Sequence, residues 1–284
     1  MVVLEVNVAC LGERQQCRNL ISMLPFFASL GVEVLYLLPI QKKGKRKAKG
    51  SPYCIADYWE LDEAWGTEED WHQLIESCQK YQMKCVLDWV MNHTAWDHPW
   101  VQDFPERYRK SKDGQLQHPP NTEWEDVVQL DVLHPALIAD VKALMLRWMQ
   151  ERGIHGFRWD AMKRIPREVR MEIQQHLGDE VLWLGDGDTL SVEEEGVDFM
   201  ERKWNPHVDS FSDHPAQWTF LHHHDEAVQG PSWKQKIASL PSLSIAEIEY
   251  WRRRWNNPVI SLSMWSKTEE LFSWVNPHWV KIPE

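Results

Sequence analysis

The chain has 284 residues, 43% of them hydrophobic and 26% charged, enough to bury a full core. Acidic residues outnumber basic ones 43 to 31. The resulting formal charge of −12 argues against nucleic acid or an anionic membrane as the main partner.

The N-terminal "MVVLEVNVAC" is apolar but has no basic n-region and turns polar at "LGERQQC", so it reads as a strand. No run approaches the 18 apolar residues of a membrane span. The helical "CRNLISMLPFFASLG" follows, with Gly31 suited to its C-terminus. "VEVLYLLPI" reads as a buried strand broken at Pro39. Next comes "QKKGKRKAKG", six of whose ten residues are Lys or Arg. It reads as a solvated loop, with an anion site or a nuclear import signal as the alternatives. In "EEDWHQLIESCQKYQ" the apolar residues Trp71, Leu74, Ile75 and Cys78 recur at helical spacing.

A third strand is expected in "KCVLDWVMNH", after which residues 95–130 form an excursion rich in Pro, Asp and Trp. The amphipathic "HPALIADVKALMLRWMQERG" then leads into the strand "IHGFRWDA", and "EVRMEIQQHLG" leads into "EVLWLGDGD". Further strands are expected at "HVDSFSD" and "QWTFLHHHD", with an eighth in "SLSIAEIEY" or "PVISLSM". About eight strands alternating with helices predict an α/β chain, a single (β/α)8 TIM barrel over 1–284. A doubly wound open sheet is the alternative, although no GxGxxG follows any strand. The five cysteines are odd in number and lack CxxC spacing, which favours reduced thiols and a cytoplasmic setting.

Active sites of parallel barrels lie at the carboxyl ends of the strands. Asp88, Asn92 and His93 occupy that position on one strand, Arg158 and Asp160 on the next, Asp186 and Asp188 on another, and His223, His224 and Asp225 on a fourth. Acids, histidines and an arginine delivered by four strands to one rim suggest a site. The triplet His222–His224 does not read as a zinc site, because successive strand residues point to opposite faces. Among the 18 tryptophans, Trp96, Trp100 and Trp124 in the long loop are the candidates for the rim.

Several ordered stretches resemble motifs of the α-amylase superfamily, glycoside hydrolase family 13. They are "GVEVLYLLPI", "SPYCIADYW", "DWVMNHTAWDHPW", "VVQLDV", "GFRWDAMKRIP" and "FLHHHDE". The resemblance implies a retaining glycoside hydrolase acting on an α-linked oligosaccharide or glucoside, with two carboxylates about 5 Å apart. It makes Asp160 the nucleophile, kept ionised by Arg158, and Asp225 the third carboxylate, which holds sugar hydroxyls. It gives substrate contacts to Tyr53, His93, Lys163, His223 and His224. No cofactor is implied except calcium, for which Asn92 matches a common ligand, without the usual partners.

The chain departs from the family's pattern in several places. Asp186 stands where a glutamate acid/base normally follows the glycine, and its side chain is one methylene shorter. His223 replaces asparagine, and Arg164 stands where many members have histidine. No room is left for a C-terminal β-sandwich, so a second copy of the chain is the candidate cover for the exposed surface. Two readings therefore stand: a retaining α-glycosidase or transglycosylase using Asp186 as acid/base, and a degenerate member acting in carbohydrate binding or protein assembly.

Overall fold

Strands here are near-continuous apolar runs, as expected where both faces of a parallel sheet are covered. A computed structural model describes residues 2–186, 195–203, 217–220 and 258–261. The chain divides into two compact units: Met1–Leu37, Ala64–Lys84 and Arg202–Glu284 in one, Leu38–Glu63 and Cys85–Glu201 in the other.

In the first unit, β1 (Val2–Val6) is buried throughout and pairs in parallel with β2 (Val32–Leu37). The helix between them, α1 (Gln16–Ser29), buries Leu20, Met23, Leu24 and Phe27, the i, i+3, i+4, i+7 spacing of one helix face. It packs on α2 (Glu68–Lys80). The start of α2 is set by a capping box: Thr67 Oγ1 accepts from Asp70 N–H at 3.2 Å, and the Asp70 carboxylate accepts from Thr67 N–H at 2.8 Å. The same carboxylate pairs with Arg18 on α1, so one residue caps one helix and docks the other.

In the second unit, β3 (Lys84–Trp89) leads into a short strand, β4 (His93–Ala95), and then α3 (Trp100–Asp103). β4 pairs antiparallel with β5 (Val127–Gln129), so the excursion closes on itself. Sequence reading placed no strands there. α4 (Pro135–Arg152) begins with proline in its first turn and ends at Gly153, whose φ of 69° is the left-handed C-cap expected of glycine. β6 (Gly156–Trp159), α5 (Arg167–Leu177) and β7 (Leu182–Gly185) follow. β3, β6, β7 and β8 (Phe199–Lys203) form a parallel sheet in that order. β8 lies earlier than the expected sixth strand at "HVDSFSD", which is outside the described residues. Charges in "FMERK" hide it from hydrophobic periodicity.

The last two strands belong to the first unit. β9 (Gln217–Phe220) and β10 (Pro258–Ser261) fall within "QWTFLHHHD" and "PVISLSM", and β10 lies parallel between β9 and β1. The alternative "SLSIAEIEY" lies outside the described residues. Among the described residues no helix is long and apolar enough to cross a membrane.

Acids take up much of the charge in the basic stretch. Lys42 pairs with Glu60, Lys43 with Asp62 and Lys49 with Glu125, while the backbone N–H groups of Lys45 and Arg46 donate to Asp97. Lys47 lies 3.7 Å over the Trp96 ring. The loop is thus pinned to the excursion.

Gly156 shows how closely the sheet is packed, since a Cβ there would fall onto the carbonyl oxygen of Leu182 on β7. Backbone cannot yield as a flexible side-chain tip can. Gly156→Ala is therefore expected to destabilise the protein by about 3 kcal/mol or more, read as a lowered denaturation midpoint.

Candidate active site

The register of the second unit's sheet builds the site. Asp88 on β3 stands beside Arg158 on β6, and Trp89 beside Trp159. Trp159 in turn stands beside Gly185 on β7, so Asp160 and Asp186 leave the ends of neighbouring strands at the same level. Two backbone bonds extend the ladder by one residue: Asp160 N–H donates to Trp89 O at 3.1 Å and Asp186 N–H to Trp159 O at 3.3 Å.

Three carboxylates converge on the guanidinium of Arg158. Its Nη1 donates to both oxygens of Asp88 at 3.1 and 3.2 Å and to Asp160 Oδ1 at 3.0 Å. Its Nη2 pairs with Asp186 Oδ1 at 3.3 Å. Side-chain exposure rises from 0% at Asp88 through 13% at Asp160 to 32% at Asp186, whereas Arg158 shows 2%. Asp88 is therefore an enclosed counter-ion, and the other two carboxylates open toward solvent.

Tyr53 O–H donates to Asp88 Oδ2 at 3.1 Å, placing the half-buried ring beside the cluster. The second oxygen of Asp186 accepts from the Ala161 N–H at 3.0 Å. Ala161 has φ 49° and ψ 40°, a left-handed turn uncommon outside glycine. That turn aims the N–H at Asp186, so both of its oxygens face donors.

His93 is buried behind Tyr53. Its Nδ1 lies 3.1 Å from the Asn92 side-chain amide, and its ring also hydrogen-bonds the Tyr53 backbone. Desolvation, with a smaller contribution from the Arg164 charge, pushes its pKa down to about 3, so the ring is neutral at ordinary pH. Trp124 packs on it at 5.5 Å between ring centroids and is 40% exposed. The other two rim candidates are placed differently. Trp96 donates to the Glu125 carbonyl beneath Lys47, and Trp100 packs on His98, Tyr58 and Arg107. Lys163 and Arg164 lie on the short 3-10 turn after Ala161. His223, His224 and Asp225 lie outside the described residues, as do His222 and Asp188.

For calcium, the buried Asn92 Oδ1 has no hydrogen-bond partner among the described residues. No group of three or more His, Cys, Asp or Glu that could hold a metal occurs among them, and calcium takes six to eight oxygens. One amide oxygen does not make that set.

The sequence signal that singles out Arg158 and Asp160 is the R-x-D spacing, which puts both on one strand face. Nothing in the sequence signals that Asp88 shares the same guanidinium, or that Ala161 turns its N–H onto Asp186. Those contacts come from strand register and one left-handed residue.

Residues 16–127 match the family model "Alpha amylase, catalytic domain". Over that stretch the chain resembles α-amylase catalytic domains. It is 28% identical over 175 residues to Alpha-amylase 3 of Dictyoglomus thermophilum, covering 55% of this chain and 34% of that protein. It is 22% identical over 237 residues to the amino acid transporter heavy chain SLC3A1 of Rattus norvegicus, covering 70% of this chain and 34% of that protein. The chain thus spans about a third of the length of these curated relatives. The crystal structure of an α-amylase from Lactobacillus plantarum matches with a TM-score of 0.73 at 23% identity, covering 93% of this chain and 71% of that one. That likeness bears on the fold alone.

Two buried histidines make acid stability a direct test of this packing. Desolvation pushes His93 down to about 3 and His98 to about 4. Below about pH 6.5 the unfolded chain takes up protons that the folded chain refuses, so stability falls as pH drops toward the folded values. Each histidine is expected to cost on the order of 2 kcal/mol between pH 7 and pH 5. Urea unfolding of wild type, His93→Gln and His98→Gln at both pH values checks this. Each variant should lose about one histidine's share of the pH dependence; an unchanged dependence in both would contradict it.

Proposed function

We propose that the chain acts as a retaining α-glycosidase or transglycosylase on α-glucans or α-glucosides. The observation that carries this reading is the guanidinium shared by Asp88, Asp160 and Asp186. It supports an ionised nucleophile at Asp160 with a second carboxylate on the neighbouring strand. In the first step an Asp160 oxygen attacks the anomeric carbon. The glycosidic C–O bond breaks, its electron pair goes to the leaving oxygen, and Asp186 supplies that oxygen with a proton. In the second step Asp186 takes a proton from water or an acceptor hydroxyl, which displaces Asp160 and restores the free carboxylate.

Tyr53 forms the floor under the sugar, and Lys163 lies at the acceptor side. His93 supports Tyr53 from behind, while Asp225, His223 and His224 hold sugar hydroxyls from the last motif. The barrel is a single (β/α)8 unit over 1–284 with its excursion at 95–130. It works in the cytoplasm without a cofactor, and a second copy covers exposed surface.

Aspartate at 186 retreats by more than about 1 Å relative to glutamate, a displacement that costs on the order of 100-fold where groups must align. Such an enzyme is slow on substrates that need full acid assistance. A second reading is a member that binds sugar or assembles with another protein without turnover. The two donors that occupy both Asp186 oxygens favour it, and so does the match to a protein named as a transporter heavy chain.

An aryl α-glucoside with an activated leaving group separates the two, because it needs little help from an acid. Wild type is expected to release the aryl alcohol and Asp160→Asn to lose at least about 1,000-fold, an order typical of a lost nucleophile. Asp186→Glu should raise turnover more on an unactivated maltooligosaccharide than on the aryl substrate. Equal rates in wild type and Asp160→Asn would remove the catalytic assignment.

A further inference from the structure

A calcium ion at Asn92 would tie the end of the sheet to the excursion, since the Asn92 carbonyl accepts from the Leu130 N–H at 3.0 Å and β4 begins one residue later. The groups around it do not suit such an ion. Gln129, opposite His93 on the β4–β5 ladder, adds a second buried amide oxygen without a hydrogen-bond partner among the described residues. Both oxygens are neutral, whereas calcium draws on carboxylates. The charge that acts on neighbouring His93 is the Arg164 guanidinium, which repels a dication.

A different device joins the same two parts. Residues 41–56 form a hairpin in which Lys43 pairs antiparallel with Ile55 and the Gly44 N–H donates to the Cys54 carbonyl at 2.8 Å. Its return arm runs into the excursion: the Ala95 N–H of β4 donates to the Ile55 carbonyl at 2.8 Å. Cys54 and Ala56 share one small core with Ala95 of β4 and Val127 of β5. The outward arm is seated so closely that a Cβ on Gly44 would fall onto the Ala95 methyl and the Asp97 carboxylate. At the tip, Asp97 Oδ2 accepts from the N–H groups of Lys45 and Arg46 at 2.8 and 3.2 Å. Lys47 then takes a left-handed φ of 59°, a strained conformation for a residue other than glycine, and its ammonium lies 3.7 Å from the Trp96 ring centroid.

We infer that this hairpin is an internal strap that orders the excursion without calcium, so that the chain's own backbone and cations place His93 and Trp124 at the candidate site. A strap built into the chain is present at full occupancy in any medium, whereas a metal orders its site only at concentrations near or above its Kd. The excursion therefore keeps its order where calcium is scarce. The inference goes beyond the α-glucoside reading and does not rest on it, because order is read without turnover.

The test is amide hydrogen exchange of the full chain over residues 93–97 and 127–129, in excess calcium chloride and in EDTA. Wild type is expected to differ by less than about twofold between the two, whereas a calcium site filled at about 100 times its Kd would slow local opening about 100-fold. Gly44→Ala tests the seat of the strap, because Gly44 has no positive φ and the added methyl acts by contact alone. Asp97→Ala removes an exposed side chain and keeps the test decisive if Gly44→Ala fails to fold. Each variant should exchange about tenfold faster in both segments while β6 keeps its rate, and calcium should not restore protection. Calcium slowing exchange tenfold or more in wild type or in a variant overturns the inference. So do wild-type rates in both variants, or equal acceleration in β6, which marks general destabilisation.

Discussion

One buried cation organises the candidate site. Arg158 is enclosed by sheet and side chains, and a guanidinium taken out of water is tolerable only when its donors are matched. Three aspartates supply the match, from three adjacent strands of one unit. A cluster of this kind contributes little net stability, because the desolvation of each ion offsets much of the attraction. Its consequence is geometric: Asp160 and Asp186 must both reach one planar group, so their separation follows from the guanidinium and the strand register. Preorganised charge of this kind is what glycosyl transfer through a carboxylate needs.

The surroundings keep that cluster in place from one side. Tyr53 is tied to Asp88 through its hydroxyl, and its backbone is held by His93. His93 sits at the start of β4, whose pairing with β5 returns the excursion to the site and brings Trp124 over the imidazole. The basic stretch and the excursion hold one another through Asp97, Trp96 and Glu125. A polar loop that would be hard to order alone is ordered here by charge pairing.

Much of this was legible in the sequence. Buried parallel strands are apolar runs and long helices carry a 3.6-residue period, so β1, β2, β3, β6 and β7 and the helices between them could be read directly. The β4–β5 pair could not, because its three-residue strands depend on partners more than 30 residues away. The motifs identified Arg158 and Asp160 and exposed Asp186 as a departure. They did not indicate that His93 lies behind Tyr53, with its ring on Asn92 and the Tyr53 backbone, because burial of an imidazole is a tertiary property. Nor did they reveal the Ala161 turn, since left-handed alanine has no sequence signature.

The central claim is that Arg158 is the shared counter-ion of the site, and a stability cycle on Arg158 and Asp88 tests it most directly. Removing one partner of a buried pair leaves an uncompensated charge, so Arg158→Met should destabilise the protein by about 3–5 kcal/mol. Adding Asp88→Asn to Arg158→Met should recover a substantial part of that loss, because a carboxylate that has lost its partner is then neutralised. Arg158→Met as stable as wild type, or a double variant with purely additive losses, would contradict the account.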